Sequence, residues 1–123
     1  MSTVANIVVG LIALLHIYIL VLEMFLWDKP AGLKAFDNDS ETGKKYAAST
    51  KVLAANQGLY NGFLSAGLFW GLSLGTNGTG VKVFFLCCVL IAGLYGAIST
   101  RKIKILFSQA TPAALGLALV ILY

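Results

Sequence analysis

Four apolar runs alternate with short polar ones along the chain. The first covers about residues 3–27, and only Asn6, His16 and Glu23 interrupt it with strongly polar side chains. It exceeds the ~20 residues needed to cross hydrocarbon and is too long for the ~7–15-residue core of a secretory signal. No lysine or arginine precedes Lys29. The pattern predicts a retained transmembrane helix closed at the interface by Trp27. Residues 28–45, DKPAGLKAFDNDSETGKK, interleave both signs of charge. They predict a solvated loop with one short amphipathic turn around Leu33 and Phe36.

A second helix is expected over about 46–74, with its polar start in water and its apolar part at 53–74. The glycine-rich stretch 75–80, GTNGTG, reads as a tight turn. A third helix is expected over about 81–99, a short basic loop at 100–104, and a fourth helix over about 105–123. Pro112 lies inside the fourth. A helix starting there would be too short to span, so a kink near Thr111-Pro112 is expected. The reading is an all-α integral membrane four-helix bundle in a single domain, residues 1–123.

Composition sets the solvent. Hydrophobic residues make up 59% of the chain and charged residues 11%, against roughly 25% charged in a soluble domain. Mean hydropathy is +0.86. The lipid bilayer is the expected partner. Net charge is +4, from nine Lys and Arg against five Asp and Glu. Lys29, Lys34, Lys44, Lys45 and Lys51 gather at the first loop, and Arg101, Lys102 and Lys104 at the last. Only Lys82 falls on the other side. The positive-inside rule puts loops 28–45 and 100–104 in the cytoplasm and both termini on the non-cytoplasmic side of the cell (plasma or inner) membrane. Basic residues so placed mark orientation, and no nucleic-acid partner is expected.

Candidate chemistry concentrates in the second helix, in AANQGLYNGFL at 54–64. Polar groups in hydrocarbon are costly unless partnered. Asn56 and Tyr60 stack at i, i+4, and Gln57 and Asn61 do the same on a neighbouring stripe. Gly58, Gly62 and Ala66 form a small-residue row, expected on the opposite face and suited to close helix contact. Glu23, one turn from the end of the first helix, falls at the same depth as 56–61. A polar pocket open toward the cytoplasm is expected between the two helices. Its ligand-binding set is Glu23, Asn56, Gln57, Tyr60 and Asn61, with His16 deeper. Tyr18, Trp27 and, by depth alone, Tyr95 are candidate aromatic walls, and Arg101 is a candidate cationic cap.

His16 and Glu23 share a stripe but stand roughly 10 Å apart along the axis. No second ligand lies three or four residues from His16, so no metal site is expected. Cys87 and Cys88 are adjacent, about 100° apart on a helix, and read as small apolar filler. No phosphate-binding loop and no nucleophile-base set appears. Catalytic residues are therefore none, and cofactors are unknown.

Several functions remain open at this level. One is binding of a small amphiphilic or lipid-like ligand. Another is proton- or cation-coupled transport through Glu23, with His16 further along the path. A third is a structural bundle in which the polar residues only join helices. Small-xxx-small pairs at Gly58/Gly62, Gly67/Gly71, Ala92/Gly96 and Gly93/Ala97 suggest close seams and a homo-oligomer.

His16-Ile17-Tyr18 with Glu23-Met24-Phe25-Leu26-Trp27, then Asn56-Gln57-Gly58-Leu59-Tyr60-Asn61-Gly62-Phe63-Leu64 with Ala66-Gly67-Leu68, resembles an uncharacterised bacterial family of small membrane proteins. That family is the domain of unknown function numbered 1304, and the resemblance covers nearly the whole chain. A weaker resemblance is to the MAPEG superfamily, the membrane-associated eicosanoid and glutathione proteins. Ala55-Asn56-Gln57 is similar to the Ala-Asn-Gln of a non-enzymatic lipid-binding branch. That resemblance implies a trimer with both termini outside the cytoplasm, in which Asn56 and Gln57 face a pocket between subunits. Enzymes of that superfamily use arginines around glutathione. Arg101 is the only arginine here, which speaks against a thiol-dependent enzyme.

Overall fold

The structure is a computed structural model and describes residues 3–123. Every regular element among the described residues is helical. The order is α1 (Thr3–Phe25), α2 (Pro30–Ala35), α3 (Glu41–Ser49), α4 (Lys51–Ser73), a 3-10 turn (Gly75–Gly78), α5 (Thr79–Thr100), α6 (Ile103–Ile105), a π turn (Leu106–Ala110) and α7 (Thr111–Leu122). Three helical runs are long and apolar enough to cross a membrane: Thr3–Phe25, Gly75–Thr100 and Ile103–Leu122. The 23 residues of α4 have the length, but Lys51, Asn56, Gln57, Asn61 and Ser65 dilute its hydropathy.

Helix ends depart from the expected ones for identifiable reasons. α1 stops at Phe25, and Lys29 N–H bonds the Leu26 carbonyl in the turn that follows. Pro30 starts α2 at a position where its missing N–H costs nothing. Residues expected as loop form the start of α3. There Ser40 caps the helix by accepting from Gly43 N–H at 3.0 Å. The second expected helix breaks at Thr50, whose φ of −110° and ψ of 11° leave the helical region. Near Pro112 the helix widens rather than stops. Thr111 N–H reaches back five residues to the Leu106 carbonyl, and its hydroxyl bonds the same oxygen at 3.2 Å. A π turn of this kind makes room for the proline ring and the N–H it lacks.

The chain divides into two compact units. One comprises the chain through Leu14 together with residues 64–123, and its core is apolar. Ala5, Val9, Ile12 and Ala13 of α1 meet Leu68 of α4, Leu86 and Val89 of α5, and Ala113 and Val120 of α7. The α1 members recur at helical spacing. Between hydrocarbon tails, packing and hydrogen bonds rather than water expulsion hold helices together. Both are present. A Cβ on Gly93 would lie 2.7 Å from the Ala110 nitrogen, so backbones touch there. Ser65 donates to the Ala13 carbonyl at 2.7 Å, joining α4 to α1. Lys82, fully buried, donates from Nζ to Asn6 Oδ1 at 3.0 Å. At the turn before α5, a Cβ on Gly78 would fall 1.8 Å from the Gly71 carbonyl oxygen, so only glycine fits. Outward stripes are apolar. Val4, Ile7, Leu11 and Leu14 on α1 are each more than half exposed.

The other unit, Leu15–Phe63, joins the second half of α1, the helices α2 and α3, and the first half of α4. It contains all five acidic residues of the chain.

Candidate functional site

Glu23 lies in the last turn of α1, two residues before its end at Phe25, and its side chain is buried within the Leu15–Phe63 unit. Its partner comes from α4. Asn61 Nδ2 donates to Glu23 Oε1 at 2.5 Å, across 38 residues of sequence. A carboxyl oxygen accepts such a bond from an amide, and this one is short for N–H···O. The same Nδ2 also lies 3.3 Å from the Gln57 carbonyl, one turn earlier in α4, which orients the amide.

Glycines make the approach possible. A Cβ on Gly58 would fall 3.0 Å from Glu23 Cβ and 2.7 Å from Met24 Cγ, and one on Gly62 would fall 2.6 Å from Leu20 Cδ1. The small-residue row and Asn61 therefore face α1 together. Sequence periodicity had set them on opposite faces. Asn61 is 60° from Gly58 on a helical wheel, close enough for one interface to hold both.

The other candidate residues sit elsewhere. Asn56 is exposed, and its Nδ2 bonds the Val52 carbonyl of its own helix at 3.1 Å. Gln57 is exposed, and Tyr60 is 57% exposed with its ring 6.0 Å from that of Phe63. Tyr18 also points outward. His16 is fully buried, seven residues before Glu23 on α1. Trp27 is half-buried, its Nε1–H bonds Thr50 Oγ1 at 3.1 Å, and its ring lies 4.9 Å from Phe36. Arg101 and Tyr95 belong to the other unit and are exposed there.

Two partnerships beside the site escape sequence reasoning. Thr50 bonds its hydroxyl to the Tyr46 carbonyl at 2.7 Å while accepting from Trp27. Lys51 Nζ lies 3.2 Å from Asp28 Oδ2. The ammonium donating to it holds the Asp28 carboxyl below the usual carboxylate range. These contacts tie the end of α1 to the start of α4, directly before the Glu23–Asn61 level. Matching depths along the two helices is the signal for the acid pair. Nothing comparable marks Thr50. No group of three or more His, Cys, Asp or Glu side chains that could hold a metal occurs among the described residues.

The arrangement offers one carboxyl group with one oxygen engaged by an amide, beside a glycine-lined helix contact. Such a group can accept a hydrogen bond from a ligand's donor, or pair with a cation.

Comparison with known proteins adds lineage. A family model described as "Protein of unknown function (DUF1304)" matches residues 10–121. "Uncharacterized protein YpaA" of Lactococcus lactis subsp. lactis (strain IL1403) is 28% identical over 116 residues, covering 94% of this chain and 95% of that protein. No solved structure matches. Helical content, apolar spans and the extent of the match agree, and the chain belongs to the DUF1304 family.

Proposed function

We propose that the chain is a multi-pass protein of the cell membrane, with α4 as a fourth span and both termini on the non-cytoplasmic side. In this reading it binds a small amphiphile whose head donates hydrogen bonds to Glu23 or carries positive charge. The observation that carries the reading is the buried Glu23 carboxyl group held by Asn61. An acid kept inside a span is costly and marks a site where a polar partner enters. Asn56, Gln57 and Tyr60 are exposed on the flank of the same helix, at the same depth. In lipid those groups need cover, which supports association of two or more copies along α4.

The test is native mass spectrometry of protein extracted with its own lipids, on wild type, Glu23→Gln and Asn61→Ala. A bound small molecule retained by wild type and lost from both variants supports the reading. Ligand-free oligomers in all three would overturn it.

A second reading is proton- or cation-coupled transport. It is favoured by burial of His16 on the same helix, about 10 Å from Glu23 along the axis. Flux in liposomes separates the two. Transport requires that Glu23→Gln abolish a pH-dependent flux. Binding alone predicts no flux in either protein.

A further inference from the structure

The last 60 residues of the chain, 64–123, hold four cations and no aspartate or glutamate. Three of the four sit together where α5 turns into α6: Arg101, Lys102 and Lys104, all exposed. Arg101 ends α5 in the left-handed region, with φ 57° and ψ 28°. Its guanidinium has no hydrogen bond or ion pair among the described residues.

Below it runs a shallow apolar groove of about 300 Å³, lined by Leu94, Ala97, Ile98, Arg101, Ile103 and Leu106. The α5 members recur at i, i+3, i+4 and i+7, so they form one straight stripe about 10 Å long. Ile103 and Leu106 supply the opposite wall. Further along, the Gly93–Ala110 backbone contact pins α5 to the π turn. The groove is thus apolar along its length, with its only charge, a cation, at the loop end.

We propose that this groove seats one acyl chain of an anionic phospholipid whose phosphate pairs with Arg101, supported by Lys102 and Lys104. The two chemistries of the groove match the two ends of that molecule. A guanidinium takes a phosphate through two parallel hydrogen bonds, and a basic cluster beside a span attracts anionic headgroups. A neutral phospholipid would fill the apolar part but bring no net negative charge to Arg101. The proposal rests on the chain spanning a membrane. It is independent of the ligand proposed at Glu23.

The full-length protein in mild detergent is titrated with phosphatidylglycerol and phosphatidylcholine of equal chain length, and bound lipid is counted by native mass spectrometry. Wild type retains phosphatidylglycerol in preference to phosphatidylcholine. Arg101→Gly, which glycine's freedom at positive φ makes compatible with the fold, loses that preference about tenfold. Ala97→Phe fills the groove and loses it as well. Leu115→Phe, on an exposed face of α7 outside the groove, keeps it. Equal retention of both lipids by wild type overturns the proposal. So does loss in Arg101→Gly with full retention in Ala97→Phe, which would mean surface charge alone. Displacement of the lipid by inorganic phosphate at matched concentration also overturns it, because a free anion cannot replace the chain. Unchanged retention at Glu23→Gln separates this site from the other.

Discussion

Gly58 lies so close to Glu23 that a Cβ at 58 would stand 3.0 Å from the Cβ of Glu23 and 2.7 Å from Met24 Cγ. The absence of a side chain there lets α4 approach α1 and brings Asn61 within reach of the carboxylate. Gly58→Ala adds a methyl where none fits. Overpacking of this kind costs about 1–3 kcal/mol, even though alanine is the better helix former. Thermal unfolding in detergent should show a lower midpoint, whereas Gly80→Ala, with open space around the position, should leave it unchanged or raised.

The Glu23–Asn61 bond should appear in a double-mutant cycle. Measured interhelical hydrogen bonds in membranes average ~0.6 kcal/mol and reach ~1.7 kcal/mol. A coupling near the upper value is expected for Glu23→Ala with Asn61→Ala, because the bond is short and its acceptor is buried. Unfolding of wild type, both single variants and the double variant measures it. Additive effects would show that the two side chains do not interact.

Much of this is legible from sequence, and the illegible part has a physical cause. The three long apolar helices follow from run length alone. Equal depth pairs Glu23 with the polar cluster of α4, because antiparallel helices place their ends level. Depth does not fix azimuth. Asn56, Gln57 and Tyr60 lie within about one and a half turns of Asn61, yet they are exposed, since only the side sharing the glycine row meets α1. At the break, Thr50 accepts from Trp27, 23 residues away, and no local pattern carries that contact. Pro112 announces a disturbance, but not its form, a π turn in which the Thr111 hydroxyl also bonds the Leu106 carbonyl. The Asn6–Lys82 bond joins residues 76 apart in sequence, and no local pattern marks it.

Acid should weaken the junction of α1 and α4. The Asp28 carboxyl is held below its ordinary value of 3.8, first by the hydrogen bond from Lys51. A folded-state value below the unfolded one means the contribution is present above about pH 4 and is lost as pH falls through the lower, folded value. Stability measured from pH 6 down to pH 2 should fall less steeply below pH 4 in Asp28→Asn than in wild type. The difference should shrink in high salt, since Lys51 is largely exposed.

Lys82 and Asn6 should respond asymmetrically. Removing the buried cation while keeping its length, as in Lys82→Met, is expected to be neutral or stabilising. Asn6→Leu leaves the ammonium without its acceptor and should cost about 1–3 kcal/mol. Unfolding midpoints of the two variants, compared with that of the double variant, check this.

The contact between Gly78 and the Gly71 carbonyl has a practical consequence for mapping which side of the membrane each loop occupies. A reporter spliced into the turn at Gly75–Gly78 would force apart two backbones that already touch. A topology obtained that way would describe a disrupted hairpin. For the α4–α5 connection, a single cysteine at exposed Asn77, in a background lacking Cys87 and Cys88, would report sidedness while leaving both glycines in place.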